Sequence, residues 1–133
     1  MKHLPLHLRQ LLHETRFHRA WRVLLAALLI VVAWFAFTPG SGAPSLGIGD
    51  KIDHLLAFGA LATSAALSLR AGGRQTMQTA LALLAFGGFI ELVQLQLPTR
   101  SGDWADLLAD AIGIGGGLLL VMLLRRRWRP AAD

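Results

Sequence analysis

The residues of this 133-residue chain that could do chemistry are few, and they recur at helical spacing. His54 follows Asp50 by four positions and Lys51 by three, so on a helix a carboxylate or an ammonium lies on its face and could orient the imidazole. Glu91 and Gln94 are three apart, with Gly87 one turn away on the same stripe. Asp103, Asp106 and Asp110 follow an i, i+3, i+7 stripe that continues as Gly113 and Gly117. Arg100 stands in the short Pro98-Thr99-Arg100-Ser101-Gly102 connection and suits a phosphate or carboxylate partner. An imidazole, several carboxylates and two cations are the materials of acid/base or nucleophilic chemistry at a phosphoryl centre. His54, Asp50, Glu91 and Asp106 are the catalytic candidates, and Lys51, Gln94, Arg100 and Asp103 the candidates for substrate binding. Carboxylate-rich oxygen sites favour Mg²⁺, Mn²⁺ or Ca²⁺ over zinc, although no spacing here demands a metal.

The elements that carry these residues are apolar. The composition is 54% hydrophobic and only 16% charged, against roughly 25% charged in ordinary soluble domains. Four runs could cross a bilayer: Trp21 to Thr38, Ile52 to Leu69, Met77 to Leu97 and Trp104 to Leu124. Each approaches the ~20 residues needed for a hydrocarbon core of about 30 Å. Breaks fall at Pro39-Gly40, Gly72-Gly73 and Pro98, and the last run stops at Arg125-Arg126-Arg127. The fold expected is therefore all-α: a four-helix transmembrane bundle, residues 20–129, with short loops and a basic amphipathic N-terminal segment, residues 1–19. That leader sets Leu4, Leu8, Leu11, Leu12 and Phe17 among Arg9, Arg16 and Arg19, as an interfacial helix does. Its His3, His7, His13 and His18 read as solvated or headgroup-facing side chains rather than metal ligands. The first run reads as a retained anchor, since the charged leader is long and the linker after the run offers no clean small-x-small cleavage pattern.

Eleven of the thirteen lysines and arginines lie before or at the very start of the first span, where Arg22 stands, between the second and third, or after the fourth. The positive-inside rule makes that side cytoplasmic, with both termini on it. The exceptions, Lys51 and Arg100, belong to the polar groups above. The start of the second helix and the junction of the third and fourth then share the non-cytoplasmic end. By a rise of about 1.5 Å per residue, Glu91 and Asp110 lie at matching depths, each ~9 Å in from that end. The net charge of +5 sits in clusters flanking apolar runs and makes no basic groove, which argues against nucleic acid. With no cysteine, disulfide and thiolate chemistry are excluded.

Polar residues within membrane helices also serve as interhelical hydrogen-bond glue, worth roughly 1 kcal/mol each. So many ionisable groups at one depth exceed that need, because each costs on the order of 2.5 to 3.5 kcal/mol at a helix centre. Gly113-x-x-x-Gly117 and Gly115-Gly116 read instead as helix packing, within one chain or between chains, so an oligomer through the fourth helix is open.

At these residues the sequence resembles the VanZ-like family of bacterial integral membrane proteins. Three blocks carry the resemblance: Asp50-Lys51-Ile52-Asp53-His54-Leu55-Leu56-Ala57-Phe58, Gly88-Phe89-Ile90-Glu91-Leu92-Val93-Gln94 with Pro98 and Arg100, and Asp103-Trp104-Ala105-Asp106-Leu107-Leu108-Ala109-Asp110-Ala111-Ile112-Gly113. The resemblance implies an inner-membrane protein of the cell envelope, related to glycopeptide resistance and, by analogy, to enzymes that exchange or cleave lipid head groups at phosphoester bonds. Relatives carry asparagine where this chain has Asp110, which implies that position needs no charge and favours Asp106. Three functions are then in view. One is a lipid head-group phosphoester transferase or hydrolase acting on phospholipid or polyprenyl-linked precursors at the outer leaflet. The second is a non-catalytic module that binds such a lipid or an antibiotic, and the third an ion-coupled transporter. The transporter ranks lowest because the cytoplasmic half of the first two helices offers only Thr63, Ser64 and Ser68 as polar groups.

Overall fold

The apolar runs fold as helices in a computed structural model of the chain, which describes residues 15–38, 49–69, 72–97 and 102–127. Among the described residues the elements are α1 (Thr15–Phe37), α2 (Asp50–Ser68), α3 (Gly73–Gln94) and α4 (Trp104–Arg127). Most of the N-terminal leader and the 39–48 linker lie outside the described residues, as does Arg100. Helix α1 already begins at Thr15. The last five residues of the expected interfacial segment thus continue into the first apolar run, where neither glycine nor proline interrupts the helix. Helix α4 likewise runs on through Arg125, Arg126 and Arg127, whose charges complement the negative end of its dipole.

Local chemistry sets the helix starts. Gly49 has φ 116°, a value that L side chains rarely adopt. Its carbonyl accepts from the amides of Ile52 and Asp53 to begin α2. Asp103 caps α4, its Oδ1 accepting from the Ala105 amide at 3.0 Å. At the opposite end of the molecule the Arg125 guanidinium donates to the carbonyls of Ala66 and Leu69, each at 2.9 Å. That clamp satisfies backbone acceptors at the end of α2 that the helix itself leaves open.

Helix α2 is the centre of the bundle, packing most extensively on α4 and also on α1 and α3. Its small residues permit this. Gly59 lies against the backbone of Gly113, and a Cβ placed on Gly113 would collide with the Leu55 carbonyl. A Cβ on Gly117 would similarly crowd Gly59, Ala62 and Thr63, so both glycines of the stripe are used within the chain. Gly115 and Gly116 face open space. The main core joins Phe58, Leu61 and Ala62 of α2 to Leu83 and Ile90 of α3 and Ile114 of α4, flanked by Leu25, Leu28, Leu29 and Val32 of α1. A smaller cluster, Leu67 and Val121 with Trp21 and Leu124, fills the Arg125 end.

Large apolar side chains point outward all around, among them Val23, Ile30, Trp34, Met77, Leu81, Leu108 and Ile112. Three helices, α1 from Phe17 onward, α3 and α4, are long and apolar enough to cross a membrane. With that surface they mark a membrane protein. Helix α2 is not among these three and starts with Asp50, Lys51 and Asp53. Its place inside the other three accounts for that composition, since it has the least lipid to face.

Replacing Gly113 by leucine is expected to destabilise the bundle by about 1–3 kcal/mol or more through overpacking. Gly116→Ala should be neutral or slightly stabilising, through helix propensity of up to about 1 kcal/mol. Thermal unfolding in detergent, followed by circular dichroism, compares the two.

Candidate functional site

The site lies at the end where α1 and α3 finish and α2 and α4 begin. Side-chain hydrogen bonds tie those ends together. Gln94 Nε2 donates to the Ala36 carbonyl at 3.2 Å, joining α3 to α1. Glu91 Oε2 accepts from the Asp103 amide at 2.9 Å, joining α3 to the start of α4. Lys51 Nζ donates to Asp103 Oδ2 at 2.8 Å and to Asp106 Oδ1 at 3.1 Å, joining α2 to α4. Deeper in, His54 Nδ1–H donates to Asp110 Oδ1 at 2.9 Å, and Glu91 Oε1 lies 4.0 Å from the same nitrogen.

Burial grades this assembly from rim to floor. The Lys51 side chain is 55% exposed and that of Asp103 50%, whereas Asp106 is 2%, Glu91 8% and Asp110 0% exposed. At the rim the Lys51 ammonium, followed by the Ala105 amide, holds the Asp103 carboxyl below the usual carboxylate range. On the floor, the His54 ring stacks parallel to Phe58 at 6.4 Å between centroids. Gly87 leaves the space that the Asp110 carboxylate occupies, because a Cβ there would strike Asp110 Oδ2. Two buried carboxylate oxygens, Glu91 Oε1 and Asp110 Oδ2, accept no hydrogen bond from the described residues.

Of the residues singled out in the sequence, Lys51, His54, Glu91, Asp103 and Asp106 come together here, with Gln94 buried beside them. Arg100 lies outside the described residues. Asp50 takes a different place from the one expected, because the imidazole is held from α4 by Asp110 and not along α2 by Asp50. Asp50 stands exposed at the helix start, where a solvated carboxylate gains little from a hydrogen bond. Asp110 is buried where the Gly113 contact draws α4 against α2, which puts its carboxylate next to Nδ1. Lys51, the other expected partner of His54, turns instead to the α4 carboxylates. Asp50 is still near: one of its oxygens, a His54 ring nitrogen and an Asp106 oxygen lie within 4.8 Å of one another.

Asp110 is the residue that sequence reasoning set aside. Its signal was present in the stripe with Asp103 and Asp106 and in a depth matching that of Glu91. The asparagine of relatives pointed away from it, yet an asparagine oxygen could accept the same Nδ1–H hydrogen bond. What the charge adds is a stronger hydrogen bond and an anion that must be compensated locally.

In the neutral imidazole, a proton on Nδ1 leaves the Nε2 lone pair free. The arrangement can therefore supply a base or nucleophile held in one tautomer, a cation at the rim, and a buried carboxylic group beside the ring.

A family model described as VanZ/LLP1 matches residues 5–125 of the chain. No curated protein and no solved structure matched it.

The folded Asp103 carboxyl is depressed, so the contribution of its pair with Lys51 is present above the ordinary carboxylate pKa. It is lost as the pH falls through the lowered value. In Lys51→Gln, Asp103 should titrate nearer the ordinary carboxylate range, read by carboxyl-carbon NMR of selectively labelled protein. An unchanged titration would show that the Ala105 amide alone sets the shift.

Proposed function

The chain belongs to the VanZ/LLP1 family, and from that membership and the His54–Asp110 pair beside Lys51 we propose a lipid head-group phosphoester transferase or hydrolase. Its substrates would be phospholipid or polyprenyl-linked precursors at the outer leaflet of the bacterial inner membrane. The orientation, with both termini cytoplasmic, rests on the distribution of basic residues.

The observation that carries this reading is the buried Asp110 carboxylate on Nδ1 of a largely buried histidine. That bond fixes the ring and its tautomer, and it stabilises the imidazolium that forms when Nε2 takes a proton. His54 then acts as general base toward water or an acceptor hydroxyl, or as nucleophile at phosphorus. Lys51 is the rim cation. Its partners Asp103 and Asp106 hold it extended across the mouth of the site, and an arriving phosphate exchanges with the exposed Asp103 carboxylate for one of its protons. Arg100 belongs to the connection between α3 and α4 and is assigned the same task on sequence grounds. Glu91, 4.0 Å from the ring, is assigned an acid/base role on sequence grounds.

Hydroxyls farther along α2 support an active site at one end over a proton relay through the bundle. Thr63 and Ser68 donate to carbonyls of their own helix, Gly59 and Ala65, at 2.8 Å each. Their protons are committed there.

The direct test reconstitutes purified protein with phospholipid and polyprenyl phosphate substrates and follows head-group release by mass spectrometry. Deletion cells complemented with each variant give the matching lipid profile. Loss of a general base lowers turnover by roughly 10²–10⁴-fold, so His54→Ala should fall in that range, and Asp110→Ala toward it. Lys51→Gln should mainly raise KM. Identical lipid profiles from wild type and His54→Ala would refute catalysis. A binding module without turnover would instead keep its lipid or antibiotic affinity in His54→Gln and lose it on charge reversal of Arg100.

A further inference from the structure

The two orphaned oxygens on the floor of the site call for an explanation that the head-group chemistry does not supply. Glu91 Oε1 and Asp110 Oδ2 are buried and accept no hydrogen bond from the described residues, and a buried carboxylate oxygen left without a partner is costly. Glu91 is 8% exposed and Asp110 0%. Glu91 Oε1 points at His54 Nδ1 from 4.0 Å, and His54 Nδ1 lies 2.9 Å from Asp110 Oδ1. One ligand atom from each of His54, Glu91 and Asp110 falls within 4.8 Å of the others. Atoms bound at about 2.0–2.2 Å to one ion sit roughly 3 to 4.4 Å apart, and the 4.0 and 2.9 Å distances from Nδ1 to Glu91 and Asp110 match that spacing.

Charge points the same way. Lys51 is taken up by Asp103 and Asp106. Among the described residues that leaves the Glu91 and Asp110 carboxylates facing each other across a single imidazole, in a low-dielectric setting where like charges are expensive. A singly charged imidazolium balances one of them. A dication balances both and fills the unmet coordination of the two orphaned oxygens.

We propose that His54, Glu91 and Asp110 bind a divalent metal ion within the bundle. The imidazole ligand shifts preference from Mg²⁺ or Ca²⁺, which take oxygen, toward Mn²⁺ or Zn²⁺. Asp103 and Asp106 stand outside this set because Lys51 occupies them. On binding, Nδ1 becomes a ligand and its proton moves to Nε2. The ring then changes from a base into a proton donor facing the rim. The inference stands on this geometry whether or not the protein turns over a lipid.

The test uses the full chain in lipid nanodiscs, equilibrated separately with Mn²⁺ and with Zn²⁺, freed of unbound ion and analysed by elemental mass spectrometry. Wild type should retain about one ion per chain. Glu91→Gln and Asp110→Asn should weaken binding at least tenfold. Asp50→Asn should bind as wild type, which separates this set from the neighbouring cluster of Asp50, His54 and Asp106. On wild type itself, pulsed electron paramagnetic resonance of bound Mn²⁺ should show ¹⁴N coupling from the imidazole, a readout that needs no variant to fold. Wild type retaining no ion, a Mn²⁺ signal without nitrogen coupling, full binding in both carboxamide variants, or equal loss in Asp50→Asn would each overturn the proposal. None of these readings depends on substrate, so a metal-free but active protein, or a metal-bound inactive one, would separate this inference from the function proposed above.

Discussion

Everything at the polar end depends on how near α4 can come to α2. The distance between two helices is set by the side chains at their contact, and here the contact is glycine on one side and the backbone of Leu55 and Gly59 on the other. Leu55 is the neighbour of His54, and Asp110 is one turn from Gly113. The same backbone contact therefore brings an imidazole and a carboxylate into hydrogen-bond range. A larger residue at position 113 would separate them before it altered anything else. In lipid, where apolar side chains gain nothing by leaving the surrounding hydrocarbon for one another, such close van der Waals packing is a main force holding helices together.

The ionisable groups are affordable because they are chained. Lys51 binds Asp103 and Asp106, Asp103 gives its amide to Glu91, Glu91 faces His54, and His54 binds Asp110. Each link uses a group from a different segment, so no helix could keep its polar residues satisfied if a neighbour were displaced. Gln94 extends the chain to α1 through the Ala36 carbonyl, giving the first helix a polar tie to the site. The exposure gradient along this chain, from the half-exposed Lys51 to the sealed Asp110, is the path by which an exterior group would meet the imidazole.

Much of this was legible in the residues. The apolar runs gave four helices, and the shared end of the second, third and fourth gave the meeting of His54 with Glu91 and Asp106. Two things were not legible. Helix boundaries moved because Arg16, Arg74 and Arg127 interrupt hydrophobicity without interrupting helix, as charged residues with good helix propensity do. The partner of His54 was misplaced because spacing along one helix sees only neighbours on that helix. Asp50 and Lys51 are near in sequence, whereas Asp110 becomes near only through a crossing that the glycines permit. Spacing also cannot show that Lys51 has better partners across the interface than beside it.

Helix α2 shows why such a site belongs on the least lipid-like element. A helix facing hydrocarbon on most sides must be apolar on most sides, which leaves no face for an imidazole, a lysine and two aspartates. Surrounded by α1, α3 and α4, α2 is relieved of that demand and can carry Gly59, Thr63, Ser64 and Ser68 among its alanines. Those small residues weaken its own hydropathy but allow the approach of α4, and that approach provides the partners its polar end requires. The low hydropathy of α2 and the polar cluster at its start are thus two results of one placement. A change that made α2 more lipid-like, by adding bulk at Gly59 or Ala62, would remove the space that its ionisable residues depend on.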